Sequence, residues 1–194
     1  MTALGLRTNT TCVTYAVVAP GEPPQIRQVA FVRLPAALHV PEQLAFIRTT
    51  LLDIIREYGV TSAGVRVTEP MAKRPNVLRA NIEGVIQELL GAGAVPSYFA
   101  GPLATIASRL RIAAGEIKSY ATGERVPDGV ADWKTEYDTE QREALLAALA
   151  ALRVPKPRLT ALAADETAIP AELPAPFPTV PSTGSSADRG GAAC

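Results

Sequence analysis

Ala3-Leu-Gly-Leu-Arg7, Thr8-Asn-Thr-Thr11 and Cys12-Val-Thr-Tyr-Ala-Val-Val-Ala19, read together, decide the fold. Residues 3–7 and 12–19 are rich in types that fit a pleated, half-buried surface, and the polar residues between them are turn formers. The pair predicts a hairpin. Pro20-Gly-Glu-Pro-Pro24 is a second turn, and Gln25 to Leu34, with Ile26, Val29, Phe31 and Val32, predicts a third strand. The period then changes. Pro41-Glu42 opens a helix whose Leu44, Ile47, Leu51, Ile54 and Ile55 recur at three and four, and Gly59 stops it. Ser62 to Glu69 reads as a strand ending in a carboxylate. Residues 76–90 read as a helix with Val77, Ile82, Val85, Ile86, Leu89 and Leu90 on its buried side. Val95 to Phe99 supplies a fifth strand, and Gly101-Pro102 leads into a short helix ending near Leu110. Asp138-Thr139 caps a last helix through Leu152, with Glu140 and Glu143 at its start. Alternating strands and helices imply parallel pairing with right-handed crossovers. The expected domain is α/β, a five-stranded mixed sheet with helices on both faces, in the order β-β-β-α-β-α-β-α-α.

Composition sets the bounds. In 194 residues, 19 Lys plus Arg balance 19 Asp plus Glu, so any nucleic-acid face must be a local patch. No apolar run is long enough to span a bilayer, and the N-terminus lacks a charged segment followed by an apolar one. A cytoplasmic, reducing setting is the expectation. Cys12 and Cys194 form neither a disulfide framework nor a zinc pattern, and His39, the single histidine, reads as a loop residue. Residues 1–152 form the expected folded domain. Residues 153–194, rich in Pro, Ala and Ser, show no period of 2 or 3.6 and read as a disordered tail. That tail is either a spacer or a recruiter of a protein partner, with Leu173 to Val180 as a candidate docking segment.

Four segments carry a resemblance. Ala3-Leu-Gly-Leu-Arg-Thr-Asn9 with Thr14-Tyr-Ala-Val-Val18 is the first, and Gly64-Val-Arg-Val-Thr-Glu69 the second. Ile117-Lys-Ser-Tyr-Ala-Thr-Gly123 and Glu140-Gln-Arg-Glu143-Ala-Leu-Leu-Ala-Ala-Leu149 complete the set. In order and spacing they resemble the RuvC branch of the RNase H-like superfamily, the Holliday-junction resolvases, over residues 3–152. The resemblance implies hydrolysis of a phosphodiester with two magnesium ions about 4 Å apart, held by converging carboxylates. It places the ligands at Arg7, Glu69, Glu140 and Glu143, so that the implied catalytic and metal-binding residues of this chain are Glu69, Glu140 and Glu143. Arg7 is the departure. A guanidinium stays protonated and repels a divalent cation, and Asn9 nearby offers one neutral oxygen in place of a carboxylate. The resemblance with this departure implies a RuvC-like nucleic-acid-binding protein with reduced or lost catalysis, acting as a binding or accessory subunit. The alternatives are an active magnesium-dependent endonuclease on branched or hybrid nucleic acid, and an interaction module that uses the Pro-rich tail.

Each residue also has a plainer reading. Glu69 can pair with Arg7 across adjacent strands, and Glu140 and Glu143 can serve the helix dipole. Arg66, Lys73, Arg74 and Arg79 face Glu69 alone between residues 65 and 80, and Arg109, Arg111 and Lys118 follow the fifth strand. On the implied fold both stretches flank one sheet edge, where they would bind the phosphate backbone of branched or duplex DNA. An ordinary charged surface is the competing account. Trp133 either stacks an unpaired base or seals a loop against the core. The resemblance also implies a homodimer through Val77 to Leu90, although packing within one chain uses the same residues.

Overall fold

The computed structural model describes residues 1–69, 76–130 and 133–153. Lys73 and Arg74, and the expected tail beyond Arg153, lie outside these residues. The strands are β1 (Ala3–Thr8), β2 (Cys12–Ala19), β3 (Gln25–Arg33), β4 (Ser62–Arg66) and β5 (Ser97–Gly101). The helices are α1 (Val40–Glu57), α2 (Val77–Leu89), α3 (Leu103–Leu110), α4 (Ile117–Thr122), α5 (Trp133–Glu136) and α6 (Thr139–Leu152). The sheet runs β3-β2-β1-β4-β5, antiparallel from β3 to β1 and parallel from β1 to β5. This is the expected mixed α/β sheet.

Three features differ from the sequence reading. The short helices α4 and α5 have too few turns to show a period, and α2 continues into a wider helical turn, Leu90–Ala94, broken inside by Gly93 at φ 90°. Strand pairing in β4 stops at Arg66, three residues before Glu69. After one last ladder bond, from Val67 N–H to Gly101 O, Thr68 and Glu69 are drawn to opposite faces of the sheet.

Alternation of side chains sorts the two faces. Leu4 and Leu6 of β1, Val13 and Val17 of β2, and Ala63 and Val65 of β4 pack beneath α1 and α2. The opposite face presents small residues. Gly5 and Gly64 are paired across β1 and β4 in parallel register. A Cβ on Gly5 would collide with the backbone of Ala144, and one on Gly64 with that of Ala147. Glycine is required at both positions so that α6 can lie directly on the strands. α6 is buried on nearly every side, between the sheet and the helices α3 and α4, which is why its sequence is alanine-rich and lacks a polar stripe.

Capping agrees with the sequence. Asn76 accepts from Arg79 N–H at the start of α2, and Asp138 accepts from Gln141 N–H at the start of α6. His39 precedes α1, and its backbone N–H donates to Glu42 at 2.9 Å. Trp133 is 1% exposed and its indole N–H donates to Tyr120 O at 2.8 Å, so it seals α5 against α4. On α2, Ile82, Ile86 and Leu89 are buried within the chain, whereas Val77 is exposed. Among the described residues no helix is long and apolar enough to cross a membrane.

Candidate functional site

The carboxyl ends of β1 and β4 meet at one rung, where Arg7 is paired with Arg66. Both side chains fall on the α6 face, because they continue the alternation through Gly5 and Gly64. Both guanidiniums converge on one carboxylate oxygen, Glu143 Oε2 at the start of α6. Arg7 Nε forms a direct ion pair with it, and Arg66 Nε lies 3.5 Å away. The second contact is between charges only, since Arg66 Nε has no hydrogen-bond partner. Arg7 also donates to Thr8 O at 2.5 Å, Arg66 donates to Val67 O, and the Arg66 NH2 nitrogen forms an ion pair with Glu69 Oε1 at 2.9 Å.

Burial gives this node its character. The side chains of Arg66, Glu143 and Arg7 are 6%, 10% and 13% exposed, against 48% for Glu69. Charges so withdrawn from water are tolerated only when paired with good geometry. Burial holds the Arg66 guanidinium below its usual pKa. Glu143 and Glu69 pull it back up, while Arg7 and Arg79 reinforce the decrease.

Asn9 ties the remaining acid to the node. Its Oδ1 accepts from the N–H groups of Thr11 and Cys12, both at 2.8 Å, which fixes the β1–β2 turn. Its Nδ2 then donates to Glu140 Oε2 at 2.7 Å. The structure thus brings Arg7, Asn9, Glu69, Glu140 and Glu143 to one edge, but not with the pairing considered from sequence. Arg7 pairs with Glu143, and it is Arg66 that pairs with Glu69.

The other face of the same edge holds a second node, centred on Glu83 of α2. Glu83 Oε1 accepts from Thr8 Oγ1 at 2.9 Å, Thr68 Oγ1 at 2.9 Å, Thr68 N–H at 3.1 Å and Arg79 Nε at 3.0 Å. Sequence reasoning passed over Glu83, since one acid on a helix reads as a solvated residue. The available signal was Arg79 one turn earlier, with Glu83 adjoining the buried Ile82.

The remaining cationic candidates are dispersed. Arg109 stacks over the Phe99 ring at 4.1 Å from its centroid, and Lys118 is exposed on α4. Arg111, at φ 60° just beyond α3, lies at the opposite end of the sheet. There it lines a cavity of about 760 Å³ with Pro23, Leu110, Tyr120, Leu149 and Arg153. Arg111 therefore does not share an edge with Arg66.

A pair of divalent ions needs three or four oxygen donors that converge without a competing cation. Here Glu143 and Glu69 are engaged by guanidiniums, and Glu140 by an amide. Among the described residues no group of three or more His, Cys, Asp or Glu is placed to hold a metal ion. The residues present do not fit the two-magnesium set that the resemblance implies.

No protein-family model matches the sequence, and no curated protein matches it. Solved structures do match. The Thermus thermophilus RuvC structure superposes with a TM-score of 0.59 at 16% identity, covering 79% of this chain and 94% of that chain. T. thermophilus RuvC in complex with Holliday junction substrate gives 0.55 at 15% identity, with 79% and 94% covered. The yeast mitochondrial Holliday junction resolvase gives 0.47 at 12% identity, with 78% and 77% covered. The two Thermus likenesses show a RuvC-like, RNase H-type fold.

Proposed function

We propose that this RuvC-like domain binds nucleic acid, with branched DNA as the first candidate, and acts as a binding or accessory subunit with cleavage reduced or lost. The observation that carries the second half is the Arg7–Glu143–Arg66 node. Two buried guanidiniums stand among the acids where a divalent pair would need its ligands, and their charge opposes a cation at that place. The first half is supported by the fold, since a neighbour of this architecture has been solved with a Holliday junction substrate. Lys118, exposed on α4, and, by sequence, Lys73 and Arg74 supply cationic side chains for a phosphate backbone. Binding of this kind weakens steeply with salt and depends little on sequence.

The test is a fluorescence titration of a labelled four-way DNA junction with the full chain, with magnesium or with chelator, at two salt concentrations. The end-point samples are run on a denaturing gel. Expected are binding that falls with salt, no change on chelation and intact strands. Strands cut only with magnesium would overturn the loss of cleavage and return Glu69, Glu140 and Glu143 to metal ligation. An absence of binding at both salts would overturn the nucleic-acid reading.

A further inference from the structure

β3 ends the sheet, and among the described residues no strand lies along its outer side. At nine residues it is also the longest strand. Which backbone groups it leaves open follows from its register with β2. In an antiparallel ladder, residues that exchange bonds with the partner strand alternate with residues whose N–H and C=O point away from it. Leu34 N–H donates to Thr11 O at 2.9 Å, one step beyond the pairing of Cys12 with Arg33. Leu34, Val32 and Ala30 therefore bond toward β2, while Arg33, Phe31 and Val29 present N–H and C=O to the open side. The irregularity between Val17 and Val18 disturbs only the start of β3, before Gln28.

We propose that the open side of β3 is a docking edge for an extended acidic segment of a partner protein, which adds to the sheet as a sixth strand. The inference goes beyond the nucleic-acid reading and does not rest on it. Open edges are templates for pairing, and proteins blunt them with proline, charge or a covering element. Residues 28–32 carry neither charge nor proline. The side chains at the ends of the strand select the partner. Arg27 and Arg33 are exposed, and no acid lies between Gln25 and Leu34; the flanking acids, Glu22 and Glu42, belong to the preceding turn and to α1. A second copy paired here would bring four arginines together with no acid to balance them, whereas an acidic strand complements them. The Arg33 guanidinium lies over the Phe31 ring, 4.8 Å from its centroid, and the ring stays 49% exposed at the edge. Ladder bonds to Val29, Phe31 and Arg33 thus supply affinity, the arginines a preference for carboxylates, and the Phe31 ring a seat for one apolar side chain.

The test titrates the full chain with a labelled peptide of alternating Glu and Val, and with its Lys-Val counterpart, by fluorescence anisotropy at low and high salt. The parent should bind the acidic peptide about tenfold more tightly than the basic one, and salt should weaken it. Phe31→Pro removes one outward N–H and leaves the bonds to β2, since an edge strand accommodates proline on its open side. It should bind roughly fivefold more weakly than Phe31→Ala, the size of one ladder hydrogen bond. The double variant Arg27→Glu with Arg33→Glu should reverse the preference toward the basic peptide, and it carries the comparison should Phe31→Pro fail to fold. No binding of the acidic peptide, or equal binding by Phe31→Pro and Phe31→Ala, would overturn the docking edge. A preference that the double variant does not reverse would overturn the acidic character of the partner. A parent that sediments as a dimer, and as a monomer once Phe31→Pro is made, would overturn the choice of occupant in favour of a second copy. If no peptide binds and the double variant loses a four-way DNA junction, these arginines belong to the nucleic acid and the edge is overturned.

Discussion

The two faces of the β1–β4 edge anchor their helices by opposite means. On the α6 face the strands offer Gly5, Gly64, Arg7 and Arg66, so the helix lies directly on the backbone and one carboxylate is held by two positive charges. On the α2 face they offer Leu4, Leu6, Ala63 and Val65, so the helix rides on larger side chains and Glu83 is held mainly by hydroxyl and backbone donors. Close approach tolerates no added atom, and a charge node tolerates no lost charge. Aliphatic packing with neutral hydrogen bonds is more forgiving of both.

The largest effect should come from filling the close approach. Gly5→Val would drive its side chain into the Ala144 backbone and the Ala148 methyl, and should cost more than about 4 kcal/mol. Urea unfolding should then show no cooperative transition; a normal one would mean that α6 can shift outward and that the two faces are alike.

The two carboxylates come next. Glu143→Gln leaves two buried guanidiniums facing an amide and should cost about 3 kcal/mol. Glu83→Gln keeps an acceptor oxygen for Thr8 and Thr68 and should cost about 1 kcal/mol. Equal losses in paired denaturation curves would erase the contrast drawn between the nodes. In the opposite direction, Gly84 sits inside α2 with open space around it, and Gly84→Ala should stabilise by about 0.5–1 kcal/mol.

The smallest effect concerns Arg48 and Glu88, an exposed pair joining α1 to α2. A hydrogen bond from Arg48 holds the Glu88 carboxyl below its usual 4.5. Its contribution is therefore complete above that pH and is lost as the pH falls through the lowered value. Glu88→Gln should flatten slightly the loss of stability measured between pH 5 and about pH 3, and molar salt should hide the difference.

Much of the framework was legible because it rests on local pattern. The hairpin, the apolar stripe of α1 and the capped start of α6 follow from period and turn chemistry within a few residues. The pairing in the site was not legible in that way. That Arg7 and Arg66 share a rung, and both point to α6, depends on the register of two strands separated by a whole helix. Arg66 looks like a phosphate contact in the sequence, but its position on the small-residue face buries it under α6. Arg111 is close to Gly101 in sequence yet far from the edge, because the eight residues of α3 carry the chain about 12 Å away.

The glycine-lined face has a consequence during synthesis. α6 comes from the C-terminal end of the described domain but covers β1, β2 and β4, so this half of the core cannot close until Leu152 has been made. At about 5–20 residues per second, the wait after Arg66 is roughly 4–17 s. Throughout that interval the bare surface on β1, β2 and β4 consists largely of Ala3, Gly5, Arg7, Thr14, Ala16, Val18, Ser62, Gly64 and Arg66, with Val18 its one large aliphatic side chain. A face so poor in large apolar groups offers other nascent chains little to adhere to.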